Sequence, residues 1–223
     1  MAILALRFED MLERLGSQGR DAVLNTYRLY EAGLIDSDTF VAVASDLLQH
    51  INERGAAYGQ LSYDQVRAII LDTAAELPAT VTATASTSSG ALAESLATIL
   101  DGEQDEIERR LERLAYVLPM ESTQDGYRAA LRADRAARGW IRGLDANACE
   151  LCQWWARDGR AWPKHHPMPT HKGCRCQQIP TYIDNPPLTY QQRILRRREA
   201  AIANRDTSSS IVRKMIETGE LTA

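Results

Sequence analysis

Apolar side chains in the first half of the chain recur every three or four positions, which is the spacing of one face of an α-helix. Residues 2–16 follow this pattern, and Gly16 and Gly19 are predicted to end the first helix. The pattern resumes over residues 20–33, which predicts a second helix. The chain therefore begins as a series of amphipathic helices.

Capping signals mark where the next helices begin. Asp36 or Ser37 can cap a third helix, and Ser62 with Gln65 has the spacing of a capping box before a fourth. Residues 79–90 consist of small side chains of low complexity, which favours a flexible loop or a weak strand between helices.

Helical spacing returns in the middle of the chain and then stops. Residues 91–117 are predicted to be helical, with a kink or a break at Gly102. A last helix of this region is predicted at about residues 122–138, and after Gly139 the pattern shortens to short strands and tight loops.

These patterns predict a mainly α protein in three parts. Residues 1–118 form an acidic helical region, and residues 119–185 form a small α+β module of the zinc type. Pro186 and Pro187 mark a linker, so residues 186–223 are predicted to form a short, basic, helical tail.

Composition and charge restrict the class of protein. The 223 residues are 44% hydrophobic and 25% charged, which is ordinary globular usage, and no apolar run approaches the length of a membrane span. The N-terminus is a poor signal peptide, so we expect neither a secreted nor a membrane protein. Residues 1–121 contain 9 basic and 20 acidic residues, whereas residues 122–223 contain 17 basic and 10 acidic residues. This polarity predicts different partners for the two halves, unless it reflects only solvated helix faces.

All four cysteines fall within 28 residues, and three of the four histidines lie in the same segment. The pattern is CxxC, then eighteen intervening residues, then HxxCxC. Zn²⁺ takes four nitrogen or sulfur ligands in a tetrahedron, commonly two from each of two tight turns. The spacing therefore predicts one structural zinc ion, with candidate ligands at Cys149, Cys152, His171, Cys174 and Cys176.

Other uses of these residues stay open. His171 and Cys174 form one possible second pair, and Cys176 is then spare or replaces one of them. Disulfides between the two cysteine pairs are an alternative, although a chain without a signal peptide points to a reducing compartment. A redox CxxC lacks its usual βαβ context here, and nothing marks Glu150 as the general base of a catalytic site.

The arrangement resembles the MuF-like minor capsid proteins of tailed phages, also called the phage head morphogenesis family. The resemblance covers roughly residues 122–183. Its residues are the Arg-rich helix, Trp140, Cys149, Cys152, Asp158, Gly159, His171, Cys174, Arg175, Cys176 and the strand-like segment 177–183. Lys172 departs from the pattern, because the family usually has proline at that position.

The resemblance implies a structural component of the virion rather than an enzyme. Such proteins lie inside the head near the portal, in few copies, and assist assembly or DNA ejection. The expected partners are the portal protein and the major capsid protein, met after synthesis in the host cytoplasm, with no membrane partner. Packaged DNA is a further candidate partner of the basic C-terminal half. The contact residues suggested there are Arg193, Arg196, Arg197 and Arg198.

Two other functions compete with this interpretation. A zinc-containing nucleic-acid-binding protein would explain the basic C-terminal half, although the ligand spacing does not fit a C2H2 finger. A head maturation protease is the weaker alternative, because the sequence contains no G-x-S-x-G nucleophile elbow.

Overall fold

The protein is mainly helical in a computed structural model that describes residues 2–72, 84–145 and 147–182. Its described part contains five α-helices and one small sheet. The helices are α1 (Ala2–Glu31), α2 (Ser37–Leu71), α3 (Ser89–Leu100), α4 (Gln104–Ala133) and α5 (Glu150–Ala156), and the strands are β1 (Gly139–Gly143), β2 (Trp162–Pro163) and β3 (Gln177–Thr181). The fold class predicted from the sequence is confirmed.

The prediction that Gly16 and Gly19 end the first helix is wrong, because α1 continues through both to Glu31. Both glycines lie where α1 meets α4. A Cβ on Gly16 would lie 2.8 Å from the Tyr116 carbonyl oxygen, and one on Gly19 would lie 2.9 Å from Pro119 Cγ. These glycines let two helix backbones approach each other and do not terminate the helix.

The later helices are also longer than predicted. The capping box at Ser62 lies inside α2, which begins after Asp36 and ends at Leu71. The Asp36 side chain accepts a hydrogen bond from the Thr39 N–H at 2.8 Å, which confirms its predicted capping role. Helix α4 runs through Pro119 and ends at Ala133, so it continues across residue 118.

Two other predicted boundaries agree with the structure where it describes them. The break at Gly102 separates α3 from α4, as predicted. The loop predicted over 79–90 lies partly outside the described residues, and its last part leads to Ser88, which caps α3. The basic tail, with Arg193, Arg196, Arg197 and Arg198, lies outside the described residues.

The helices pack around two groups of buried side chains. The first group joins α1 and α2 to α3 and the start of α4; it includes Tyr27, Phe40, Leu48, Leu92, Leu96 and Leu111. The second joins α1, α2 and the end of α4 to the sheet; it includes Leu12, Tyr63, Met120, Tyr127, Leu131 and Trp140. None of the described helices combines the length and hydrophobicity that crossing a bilayer requires.

The antiparallel sheet positions the cysteine-containing segments. Its strand order is β2–β1–β3, with Trp140 opposite both Trp162 and Pro180, and Arg142 opposite Gln178. Trp140 is 1% exposed, and its indole N–H donates to the His166 carbonyl at 3.1 Å. The central strand is therefore anchored in the second core. We call residues 139–182 the C-terminal module.

Candidate metal centre

The first cysteine pair lies at the start of α5. Cys149 is the N-cap residue and Cys152 lies in the first turn, and the Cys149 carbonyl accepts the Gln153 N–H at 3.0 Å. This turn directs both sulfur atoms to the same side, as the CxxC spacing predicts.

The second group lies on a tight turn before β3. The Cys174 N–H donates to the His171 carbonyl at 3.0 Å, and Gly173 has a φ of +73°. Glycine adopts this left-handed conformation without steric cost, so the sequence His171-Lys172-Gly173-Cys174 closes into a turn. Cys176 follows two residues later, directly before β3.

The five predicted ligand residues come together in two overlapping groups. The ligand atoms of Cys149, Cys152 and His171 lie within 4.8 Å of one another, and so do those of Cys152, Cys174 and Cys176. Cys152 is common to both groups, so the arrangement is one continuous cluster that could hold a metal ion.

Three of the separations match the edges of a tetrahedral centre, whereas Cys174 is grouped with Cys152 and Cys176 and not with Cys149 and His171. His171 Nε2 lies 3.4 Å from the Cys149 sulfur and 3.2 Å from the Cys152 sulfur, and the Cys152 and Cys174 sulfurs are 3.7 Å apart. With Zn–S bonds of about 2.3 Å and Zn–N bonds of about 2.0 Å, the tetrahedron edges are about 3.8 Å between two sulfurs and about 3.5 Å between sulfur and nitrogen.

The imidazole of His171 is held in the orientation that metal binding requires. Nδ1 lies 3.0 Å from the Lys172 carbonyl oxygen, which can only accept a hydrogen bond. We therefore assign the proton to Nδ1, and this leaves the lone pair of Nε2 directed at the cysteine sulfurs. The ring also stacks against Trp155, with centroids 6.4 Å apart.

Burial and hydrogen bonding divide the thiols by pKa. A hydrogen bond from the Cys176 thiol lowers the pKa of Cys174, and the same bond raises the pKa of Cys176. Burial, reinforced by the negative charge of Cys174, raises the pKa of Cys152. Of these three thiols, Cys174 is therefore the easiest to deprotonate, and a metal ion must displace protons from the thiols that it binds.

Cys176 differs from the other cysteines in its neighbours. It is fully buried, and its sulfur lies 3.7 Å from an Asp145 carboxylate oxygen, to which the thiol can donate. The Cys176 side chain thus lies between the Cys152–Cys174 pair and the carboxylate of Asp145, which is on the loop after β1.

Polar contacts attach the cysteine-containing turn to the helices. Arg175 forms an ion pair with Glu13 of α1 and donates to the Tyr116 hydroxyl of α4 at 3.1 Å. The Gln124 side chain donates to the Cys174 carbonyl. Lys172 lies 3.3 Å from Glu121.

His165 and His166, the other two histidines of this segment, are in neither candidate group. His166 stacks on Trp162 with centroids 4.3 Å apart, which places it at the sheet. Sequence reasoning missed Arg142 and Asp145, which both contact cysteine sulfurs. The available signal was a charged residue two positions after the buried Trp140, where strand alternation predicts another inward-facing side chain.

The comparisons with known proteins give one match. The family model described as VG15 protein matches residues 22–197, which is more than three quarters of the chain and includes the whole cysteine and histidine cluster. No curated protein and no solved structure matches the chain significantly.

Proposed function

The chain belongs to the VG15 protein family, a family of phage proteins, and we propose that it is a structural minor capsid protein of a tailed phage. In this proposal it lies inside the head near the portal, contacts the portal protein and the major capsid protein, and assists assembly or DNA ejection. The observation that carries the proposal is the MuF-like ligand pattern, whose five residues form one cluster within the segment that the phage family matches.

We further propose that the cluster holds one structural zinc ion through Cys149, Cys152, His171 and Cys174. Three short separations, the donor set and the imidazole orientation support these four residues, and binding would draw Cys174 toward Cys149 and His171. Four protein ligands leave no position for a substrate or a water molecule, which favours a structural site and a non-enzymatic protein. Bound zinc would supply the cross-link that connects α5 to the turn before β3.

The zinc proposal is tested on the purified full chain. We expect elemental analysis to find one equivalent of zinc, and a C149S/H171A variant to lose it. Because Cys149 and His171 side chains are partly exposed, circular dichroism should still report the helices in that variant. A wild-type chain that takes up no zinc after reduction would contradict the proposal.

The capsid proposal is tested in cells that assemble heads. An epitope-tagged chain is expected to sediment with DNA-filled particles at low copy number, whereas the tag on an unrelated soluble protein stays at the top of the gradient. Protease treatment should remove the chain only after the particles are opened. Recovery of the chain solely in the soluble fraction would contradict a virion role.

Contact with packaged DNA is a separate proposal, favoured by the excess of basic residues in 122–223. Deletion of residues 186–223 should abolish most DNA binding, because it removes Arg193, Arg196, Arg197 and Arg198. Binding by the full chain should weaken steeply as salt increases. Equal binding by both chains at low salt would contradict a role of this segment.

A further inference from the structure

Arg142 places a buried positive charge against the cysteine cluster. It lies on the central strand β1 and is 5% exposed. Its Nη1 atom is 3.8 Å from the Cys152 sulfur and 4.0 Å from the Cys174 sulfur. One terminal nitrogen of the guanidinium therefore faces both cysteine sulfurs.

A guanidinium group keeps its charge in any protein environment, so its burial requires a compensating anion. The ion pairs among the described side chains do not include Arg142. Its other neighbours are neutral, since Nη2 donates to the Pro169 carbonyl and the guanidinium carbon lies 5.3 Å from the centre of the Trp155 ring. The sulfurs of Cys152 and Cys174 are thus its nearest groups able to carry negative charge among the described contacts.

We propose that Arg142 is the charge-balancing and positioning residue of the metal centre. This inference rests on the proposed zinc site. Zn²⁺ with three thiolates and one neutral imidazole carries one net negative charge, and the two sulfurs that Arg142 contacts belong to buried cysteines. Arg142 compensates that charge and directs the sulfurs of Cys152 and Cys174 by N–H to sulfur contacts.

The surroundings of Arg142 hold its guanidinium group in one position. A fixed cation suits this role better than a flexible one. Pairing of Arg142 with Gln178 in the sheet fixes its backbone, and the Pro169 carbonyl and Trp155 fix the plane of the guanidinium. Pro169 and Trp155 lie in the two segments that carry the second and first groups of ligands. Arg142 therefore contacts both halves of the centre from the rigid strand between them.

The test compares the zinc affinity of R142Q and R142K with that of the wild-type full chain, measured by competition with a chromophoric chelator. Removal of the charge in R142Q should weaken zinc binding about 10–100-fold, the range found for residues that support metal ligands. R142K keeps the charge and should lose less than about tenfold. The control is R160Q, which removes an exposed arginine that stacks on Trp162, and it should bind as the wild type does.

Substitution of Co²⁺ for zinc gives an absorption spectrum. The position of its bands would not change if Arg142 only stabilised the fold. A positive charge beside the sulfurs stabilises their electrons, so its loss should shift the sulfur-to-cobalt charge-transfer band to longer wavelength. We expect this shift in R142Q, little of it in R142K and none in R160Q. The spectra are compared at saturating cobalt, so that a difference in affinity does not enter.

The outcomes separate this inference from the zinc proposal. If the wild type binds no zinc, the proposed site itself fails. If the wild type binds zinc but folded R142Q binds it equally tightly with an unshifted cobalt band, only the role of Arg142 fails. Should R142Q not fold, R142K decides, because an R142K that folds but binds zinc more than 100-fold more weakly would overturn a role based on charge.

Discussion

Cys174 and Cys176 are separated by one residue, yet their sulfurs have different neighbours. Cys174 lies 3.7 Å from the Cys152 sulfur, whereas Cys176 lies 3.7 Å from an Asp145 carboxylate oxygen to which its thiol can donate. We expect C174S to weaken zinc binding by more than about 100-fold, since a ligand is lost, and C176S to stay within the smaller range of supporting residues. Chelator competition on both variants measures the difference, and the reverse order would make Cys176 the fourth ligand.

Gly173 allows the histidine and Cys174 to share one turn. Its φ is +73°, and a Cβ there would meet no atom within 4 Å, so an alanine causes only backbone strain. That strain is about 1–2 kcal/mol, and G173A should therefore weaken zinc binding roughly tenfold. G33A is the matched control, because Gly33 has a φ of +68° and equally open surroundings far along the chain from the ligands.

G33A should lower the stability of the fold by a similar amount while leaving the zinc affinity unchanged. Equal zinc affinities of G173A and the wild type would show that the turn tolerates a side chain.

The clustering of the candidate ligand residues could be predicted, because tight spacing determines which side chains a short turn can bring together. Arg142 and Asp145 could not, because their contacts with sulfur depend on how β1 lies against two distant turns.

At the scale of the elements, helices α2 and α4 cross closely because each has a glycine that faces the backbone of the other helix. A Cβ on Gly126 of α4 would lie 2.8 Å from Ala56 Cα, and one on Gly59 of α2 would lie 2.7 Å from the Tyr127 nitrogen. Backbone atoms cannot move aside as flexible side chains can. The two helices can keep their present crossing only with glycine at these positions.

G126A is therefore expected to destabilise the protein by about 2 kcal/mol or more, since overpacking of a close contact costs on the order of 1–3 kcal/mol. G90A is the control, because Gly90 lies within α3 and a Cβ there would meet no atom within 4 Å. G90A should change stability little, because Gly90 lies in the first turn of α3 and its Cβ causes no clash. Urea denaturation of both variants checks this, and equal effects of the two would contradict a backbone contact at Gly126.

Two glycines of α1, Gly16 and Gly19, show why helix boundaries were harder to predict than helix type. Apolar spacing correctly predicted helices over most of α1 to α4, but Gly16 and Gly19 carry no local mark that separates a helix end from a helix crossing. That distinction depends on Tyr116 and Pro119, about a hundred residues later in the chain. A single sequence does not show which distant residues pack against these two glycines.

Asp134 connects three elements just after α4. Its side chain accepts hydrogen bonds from the Tyr63 hydroxyl at 2.7 Å, the Tyr182 hydroxyl at 3.2 Å and the Ala136 N–H at 2.8 Å, and it pairs with Arg67 at 3.2 Å. Burial alone would raise the pKa of Asp134, but these donors and the positive charge together lower it. The ionised form is thus favoured in the folded protein.

A lowered folded pKa means that the stabilisation is present above the ordinary pKa of about 4 and is lost as the pH falls through the lower folded value. D134N should cost about 1–3 kcal/mol at neutral pH and make the free energy of unfolding less dependent on pH in the acid range. D64N is the control, because burial raises the pKa of Asp64, so neutralising it should not destabilise the fold. A D134N chain with the pH profile of the wild type would contradict this account.

Across the whole molecule, the two ends of the C-terminal module depend on different forces. Strand β1 is held by Trp140 within the second helical core. Among the described residues, the hydrophobic cluster around the cysteines has only Cys152, Cys174 and Cys176 as buried members, with Ala148 and Trp155 packed against them. So little apolar area gives a weak core, which a metal ion can replace as the source of stability.

Removal of the proposed zinc ion with a chelator should therefore loosen one end of the module and leave the other in place. We expect amide hydrogen exchange to accelerate in α5 and in residues 169–176, while β1 and the helices α1, α2 and α4 keep their protection. The ion pair of Arg175 with Glu13 is exposed on both sides, so it contributes little to holding the turn without the metal. Far-UV circular dichroism should change only slightly, since α5 is a small part of the helical content.

Chelator added to the C149S/H171A variant is the control and should cause no further change, because that variant already lacks the ion. Uniform acceleration of exchange throughout the helices would instead mean that the metal stabilises the whole fold and not only α5 and residues 169–176.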